Sequence, residues 1–124
     1  MGPGYPTIFI VDDDSAVRES LQALFESYGF DVEGYMSGPA FLTRFSADRR
    51  GCVVLDMHLP EMNGLEILTR LRIEKGSDLP VVMITGRSDR PTRERLFAAG
   101  ATRHFEKPLD SEQLVATVQE LTAH

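Results

Sequence analysis

Apolar positions along this chain follow two alternating rhythms. Thr7-Ile-Phe-Ile-Val11, Cys52-Val-Val-Leu55 and Val81-Val-Met-Ile84 are short, almost continuously apolar runs. Strands take this form when helices cover both faces of a parallel sheet. Phe30-Asp-Val-Glu-Gly-Tyr35 alternates apolar with polar, and Thr102-Arg-His-Phe-Glu106 is mostly polar, so both read as edge strands. Between the runs the period becomes helical. Val17, Leu21, Leu24, Phe25 and Tyr28 share one spacing, with Gly29 as a stop. Ser37 ahead of Gly38-Pro39 suits a helix start, followed by Phe41, Leu42 and Phe45 on one stripe. Leu65, Leu68 and Leu71 mark a third helix beginning near Asn63. Pro91 sits early in a fourth, which carries Leu96 and Phe97 and ends at Gly100. Asp110 and Gln113 predict a capping box ahead of Leu114, Val118 and Leu121. The fold class is therefore α/β. Five strand–helix units, with the second and fifth strands at the edges, fit the 2-1-3-4-5 order known for doubly wound folds: a five-stranded parallel sheet flanked by five helices.

At 124 residues the chain has room for one domain with a real core. Residues 7–124 are read as that domain, and Met1 to Pro6, with two Gly and two Pro, as a flexible tail. A net charge of −6 argues against direct nucleic-acid binding, which needs positive surface to displace counterions. No apolar stretch reaches the ~18 residues of a membrane span, and no basic-then-apolar leader opens the chain. The single Cys52 lies inside an apolar run and reads as a small buried hydrophobe in a reducing compartment. A cytoplasmic location follows from these features.

The chemistry sits at the ends of the strand runs. Asp12 and Asp13 follow the first, Asp56 the third, Thr85 the fourth, and Lys107-Pro108 the fifth. In a parallel sheet these positions line one edge, where doubly wound sheets bind ligands. Alone, an Asp after a strand is most often a helix cap or turn residue, and Asp14 or Ser15 is expected to cap the first helix. Four such signals at the same end of four strands are harder to explain that way. Packed carboxylates repel, and a hard divalent ion such as Mg²⁺ relieves the repulsion with oxygen ligands. A carboxylate is a competent nucleophile toward phosphorus. Lys107 can neutralise a phosphoryl oxygen, and Thr85 can donate to another. The set suits in-line phosphoryl transfer onto Asp56.

These residues resemble the receiver domain of two-component response regulators, from about Thr7 to Thr122. The motifs are Val-Asp-Asp-Asp at 11–14, Leu-Asp-Met-His-Leu-Pro at 55–60, Met-Asn-Gly at 62–64, Ile-Thr-Gly at 84–86, Ala-Gly-Ala at 99–101 and Glu-Lys-Pro at 106–108. In style they are similar to receivers of the LuxR/FixJ-type branch, which precede helix-turn-helix domains. The resemblance implies the flavodoxin-like receiver fold, with Asp56 as phosphoacceptor. It implies Mg²⁺ on Asp13, Asp56 and the backbone carbonyl of His58, with Asp12 acting through water. Lys107 would contact the phosphoryl group across a cis Lys107-Pro108 bond, and Thr85 would be the switch hydroxyl. The implied donor is a histidine kinase or phosphotransfer protein. Such a domain is a switch with self-catalysed steps, not a turnover enzyme.

Three positions depart from the commonest family choices. His104 stands where Tyr or Phe is usual. It is read as a rotamer switch that turns inward when Asp56 is phosphorylated, with a pH-sensitive ring, or more plainly as a wet edge residue. His58 and Arg87, two residues after Asp56 and Thr85, flank the path of the hydrolytic water and are read as modulators of phosphoryl lifetime. One His beside acids gives His58 no recognisable zinc-ligand spacing. Arg87, Arg90, Arg93, Arg95 and Arg103 fall on the expected face of the fourth helix, fifth strand and fifth helix. That face is read as a homodimer or effector surface, against the plainer alternative of solvated arginines paired with Asp89 and Glu94. The competing activities are a haloacid-dehalogenase-like phosphatase, which needs a second Asp where His58 stands, and a degenerate receiver used only for protein binding. A flavodoxin-like cofactor binder lacks its glycine-rich phosphate loop, since carboxylates follow the first strand.

Overall fold

The computed structural model describes residues 6–123. Apart from Pro6, the tail read over Met1 to Pro6 lies outside the described residues. Five strands, β1 (Thr7–Val11), β2 (Asp31–Tyr35), β3 (Gly51–Asp56), β4 (Val81–Thr85) and β5 (Arg103–Glu106), form one sheet. It is parallel throughout and ordered β2-β1-β3-β4-β5. The helices are α1 (Ser15–Ser27), α2 (Gly38–Arg44), α3 (Gly64–Ile73), α4 (Arg90–Ala98) and α5 (Ser111–Leu121).

Alternation along the strands builds two cores. Phe9, Val11, Val53, Leu55, Val81 and Met83 face α2, α3 and α4, meeting Phe41, Ile67, Leu68, Leu71 and Leu96. Ile8, Ile10, Cys52, Val54, Val82 and Ile84 face the other way onto Leu21 and Phe25 of α1 and Leu114, Val115 and Val118 of α5. Burial on both faces is why β1, β3 and β4 carry no polar alternation, and the half-exposed β2 and β5 do. The buried Cys52 thiol is pushed up to about 12 by desolvation, so it packs as an inert hydrophobe.

Each helix starts on a short side chain that accepts from the exposed first-turn N–H groups: Asp14, Ser37, Asn63, Asp89 and Asp110. Each such cap contributes about 1 kcal/mol. Asp14, not Ser15, caps α1. Asp110 accepts from Gln113 N–H at 3.1 Å, the half of the capping box that satisfies the helix end. Asp89 serves as the α4 cap, so its carboxylate is committed to Thr92 N–H at 2.9 Å. Gly29 ends α1 at φ +92°, a left-handed position that glycine takes without steric cost. Three helical stripes are wider on paper than in space. Tyr28 and Phe97 are exposed, and the buried face of α3 runs through Ile67, Leu68 and Leu71, with Leu65 only half-buried.

Candidate functional site

β1, β3, β4 and β5 end side by side, so the residues that follow them meet at the carboxyl edge of the sheet. Register pairing sets Val11 beside Leu55, Asp56 beside Ile84 and Thr85 beside Glu106. Asp12, Asp13 and Asp56 each offer a carboxylate oxygen, all within 4.8 Å of one another. Asp12 and Asp56 are buried and Asp13 is exposed. Burial pushes both Asp12 and Asp56 above the ordinary carboxylate range, and neighbouring carboxylates add to the rise. Backbone donors oppose it: Asp14 N–H reaches Asp12 Oδ1 at 2.9 Å and His58 N–H reaches Asp56 Oδ1 at 3.3 Å. Lys107 Nζ stands 3.7 Å from Asp56 Oδ1.

The oxygens of Asp12, Asp13 and Asp56 therefore form a hard, anionic donor set with more negative charge than one half-exposed lysine offsets. That set fits an oxygen-liganded divalent ion such as Mg²⁺. The donors lack the nitrogen and sulfur that zinc sites favour.

The loop from Asp56 to α3 is drawn tight over β3. Gly64 N–H donates to the Met57 carbonyl at 2.9 Å. A Cβ on Gly64 would lie 2.7 Å from the Asp56 carbonyl oxygen and 2.8 Å from Met57 Cα, so only glycine allows this approach. Glu61 in the same loop adopts φ +66°, uncommon for a residue with a side chain. Lys107-Pro108 is cis, and Lys107 N–H donates to the Thr85 carbonyl at 2.8 Å.

Thr85 is fully buried, and its hydroxyl lies 2.7 Å from His104 Nε2. The sequence reading assigns the inward position of His104 to the phosphorylated state. Here the ring already faces Thr85, with Ser88 Oγ 3.2 Å from the same nitrogen. Burial depresses the ring's basicity, partly countered by Glu106. Ser88 gives both its N–H, at 3.2 Å, and its hydroxyl, at 3.1 Å, to Glu106 Oε2. Ser88 escapes a sequence reading because a serine three residues after the strand-end threonine has no spacing signature. Only the fold brings it to β5.

His58 and Arg87 are exposed at the rim, and the His58 ring lies near enough to lower the Asp56 carboxyl. The arginines are partly engaged. Arg90 pairs with Glu94 at 3.1 Å, Arg103 with Glu120 at 3.8 Å, and Arg93 donates to the Ser88 carbonyl at 2.7 Å.

A family model of the response regulator receiver domain matches residues 8–119. The response regulator TodT of Pseudomonas putida is 38% identical over 112 residues, covering 90% of this chain and 49% of that protein. The transcriptional regulatory protein FixJ of Bradyrhizobium diazoefficiens is 35% identical over 112 residues, covering 90% of this chain and 54% of that protein. A solved structure of the response regulator StyR superposes with a TM-score of 0.88 at 36% identity, covering 96% of this chain and 60% of that one. The chain thus spans about half the length of the curated relatives it matches.

Proposed function

Since this chain belongs to the response regulator receiver domain family, we propose that it accepts a phosphoryl group on Asp56 and changes conformation in response. The observation that carries this reading is the carboxylate cluster with Lys107 3.7 Å from Asp56, beside a buried Thr85 hydroxyl. The donor is a histidine kinase or phosphotransfer protein carrying a phosphohistidine. An Asp56 Oδ attacks phosphorus in line, the P–N bond breaks, and the imidazole leaves with the bonding pair. Asp12, Asp13, Asp56 and the His58 backbone carbonyl are the groups that would hold Mg²⁺, which supplies charge neutralisation for phosphoryl oxygens.

The chain's own residues do the rest. Lys107 pairs with a phosphoryl oxygen as a compact point charge, giving up its contact with Asp56 as that carboxylate becomes an acyl phosphate. Thr85 donates its hydroxyl to a second oxygen. His58 and Arg87, at the rim, govern the approach of the water that later cleaves the acyl phosphate. The phosphorylated form persists until that water cleaves it, and in this reading the domain works as a switch with self-catalysed steps and not as a turnover enzyme. A phosphoryl group shifts the conformational balance only by its differential interaction with the two states. The face of α4, β5 and α5, with Arg90, Arg93, Arg95 and Arg103, is the surface we assign to a second copy or an effector. No described helix is long and apolar enough to cross a membrane, which suits a cytoplasmic setting.

Incubation with Mg²⁺ and a small phosphodonor, followed by intact mass, tests the reading. A single phosphoryl adduct in the wild type, absent in Asp56→Ala, is expected. Continuous release of phosphate without an adduct would make the protein a phosphatase and overturn the proposal.

A further inference from the structure

Thr85, His104, Ser88 and Glu106 form a hydrogen-bond chain whose direction can be worked out from donor counts. His104 Nε2 faces two hydroxyls, Thr85 Oγ1 at 2.7 Å and Ser88 Oγ at 3.2 Å. Each hydroxyl owns one proton. The groups around the ring are Glu106 on its own strand, Ser88 in the loop after β4, and Arg93 on α4. The Glu106 carboxyl is held below its ordinary range by the Ser88 N–H and then the Ser88 hydroxyl, so near neutral pH it is an acceptor only. Ser88 Oγ lies 3.1 Å from Glu106 Oε2, and its single proton is committed there. Toward His104 the serine can then offer only a lone pair. For that contact to attract, Nε2 must carry the hydrogen. An Nε2–H shared between Ser88 Oγ and Thr85 Oγ1 also makes Thr85 an acceptor on its His104 side. The threonine's own proton is then unspent.

We infer that Ser88 and Glu106 hold His104 in the Nε2–H tautomer, and that His104 thereby acts as a positioning residue keeping the Thr85 hydroxyl proton available to an incoming phosphoryl oxygen. The opposite tautomer would draw the Thr85 proton onto the ring, and Thr85 would have to break that bond before donating elsewhere. This inference rests on the function proposed above and adds to it a role for Ser88, Glu106 and His104. Arg93 supports the arrangement twice. It ties down the Ser88 carbonyl at 2.7 Å, and its charge disfavours a second proton on the ring.

Two measurements test it. Two-bond ¹⁵N correlation spectra of the His104 ring at about pH 8, above the ordinary histidine range, read the tautomer directly. The Nε2–H form is expected in the wild type, with a shift toward Nδ1–H in Ser88→Ala. Ser88 sits in a half-exposed loop, so this variant leaves both cores untouched. Phosphorylation of Ser88→Ala by a small phosphodonor should be about threefold to tenfold slower, the worth of one neutral hydrogen bond expressed as a rate. A wild-type Nδ1–H ring overturns the inference. So does a Ser88→Ala variant with unchanged tautomer and rate. A wild type that takes no phosphoryl group would overturn the functional reading itself, and the spectra would still report the tautomer.

Discussion

Replacing Asp56 by Asn should make the metal-free protein more stable, even though the position is the proposed phosphoacceptor. Asp56 is only 4% exposed and shares a space of 4.8 Å with Asp12 and Asp13. Two unit charges at that separation repel by about 3.5 kcal/mol at an effective dielectric near 20. That figure applies to the buried Asp12, while exposure of Asp13 roughly halves its share. Lys107, at 3.7 Å but 41% exposed, returns about 2 kcal/mol of attraction after similar screening. These Coulomb terms leave a repulsion of about 3 kcal/mol; burial adds a desolvation cost and the His58 N–H offsets part of the total, and the folded protein avoids some of what remains by taking up a proton.

Asn keeps an oxygen for the His58 N–H and removes the charge. A gain of roughly 2 kcal/mol at pH 7, or about 6–10 °C in Tm for a domain of this size, is expected. The sign follows from linkage. The carboxyls of Asp12 and Asp56 titrate above their reference value of 3.8, so the folded state binds protons more tightly than the unfolded one. Their contribution to stability is therefore fully present below that value and is lost as pH rises through the raised folded values. In Asp56→Asn the fall should be shallower. Urea unfolding in EDTA between pH 4 and 8 measures both effects. Saturating Mg²⁺ should then narrow or reverse the order, since an ion at about a hundredfold above its Kd adds ~2.7 kcal/mol to whichever protein binds it. An Asn variant no more stable than wild type in EDTA at pH 7 would refute the reasoning.

Lys107→Ala should leave the apo cluster more repulsive and slow phosphorylation by small phosphodonors about tenfold or more, read as the rate of adduct formation by intact mass. His58→Ala and Arg87→Ala should each change the dephosphorylation rate of the adduct, and unchanged rates in both would remove them as rim modulators. Gly64→Ala should destabilise the fold by about 1–3 kcal/mol in urea melts, because its Cβ would meet backbone at 2.7 and 2.8 Å.

Much of this was legible because the relevant signals are local. The apolar runs of β1, β3 and β4 betray burial on both faces, and the carboxylates that end them are read directly from the chain. Caps such as Ser37, Asn63 and Asp110 also lie beside the helix they start. What escaped depends on distance in sequence. Nothing near Ser88 indicates that Glu106, eighteen positions later, takes both its N–H and its hydroxyl. Apolar periodicity also cannot say how wide a buried stripe is. Phe97 follows the buried Leu96 on α4, but a short helix at the sheet margin covers only one of them, and Phe97 stays 47% exposed. Arg72 is a further case. Its guanidinium spans α3 to the Gly100 carbonyl at 2.7 Å, a tie that a surface-arginine reading passes over.

The site divides into a charged half and a neutral half, and Lys107 belongs to both. On one side stand Asp12, Asp13 and Asp56, whose mutual repulsion makes added positive charge favourable. On the other, Thr85, His104 and Ser88 exchange neutral hydrogen bonds, with Glu106 anchored at the rim. Lys107 reaches the first through Nζ, 3.7 Å from Asp56, and the second through its backbone N–H, 2.8 Å from the Thr85 carbonyl. Charge added at Asp56 would redirect the lysine side chain while its backbone stays tied to β4. The displacement then falls on the short segment joining β5 to α5 and on the side chains packed against Thr85, since the buried strands between them are held by close packing. His104 lies on β5 and Ser88 in the loop leading to α4, so the elements that would feel a change at Asp56 first are those that carry the arginine-bearing face.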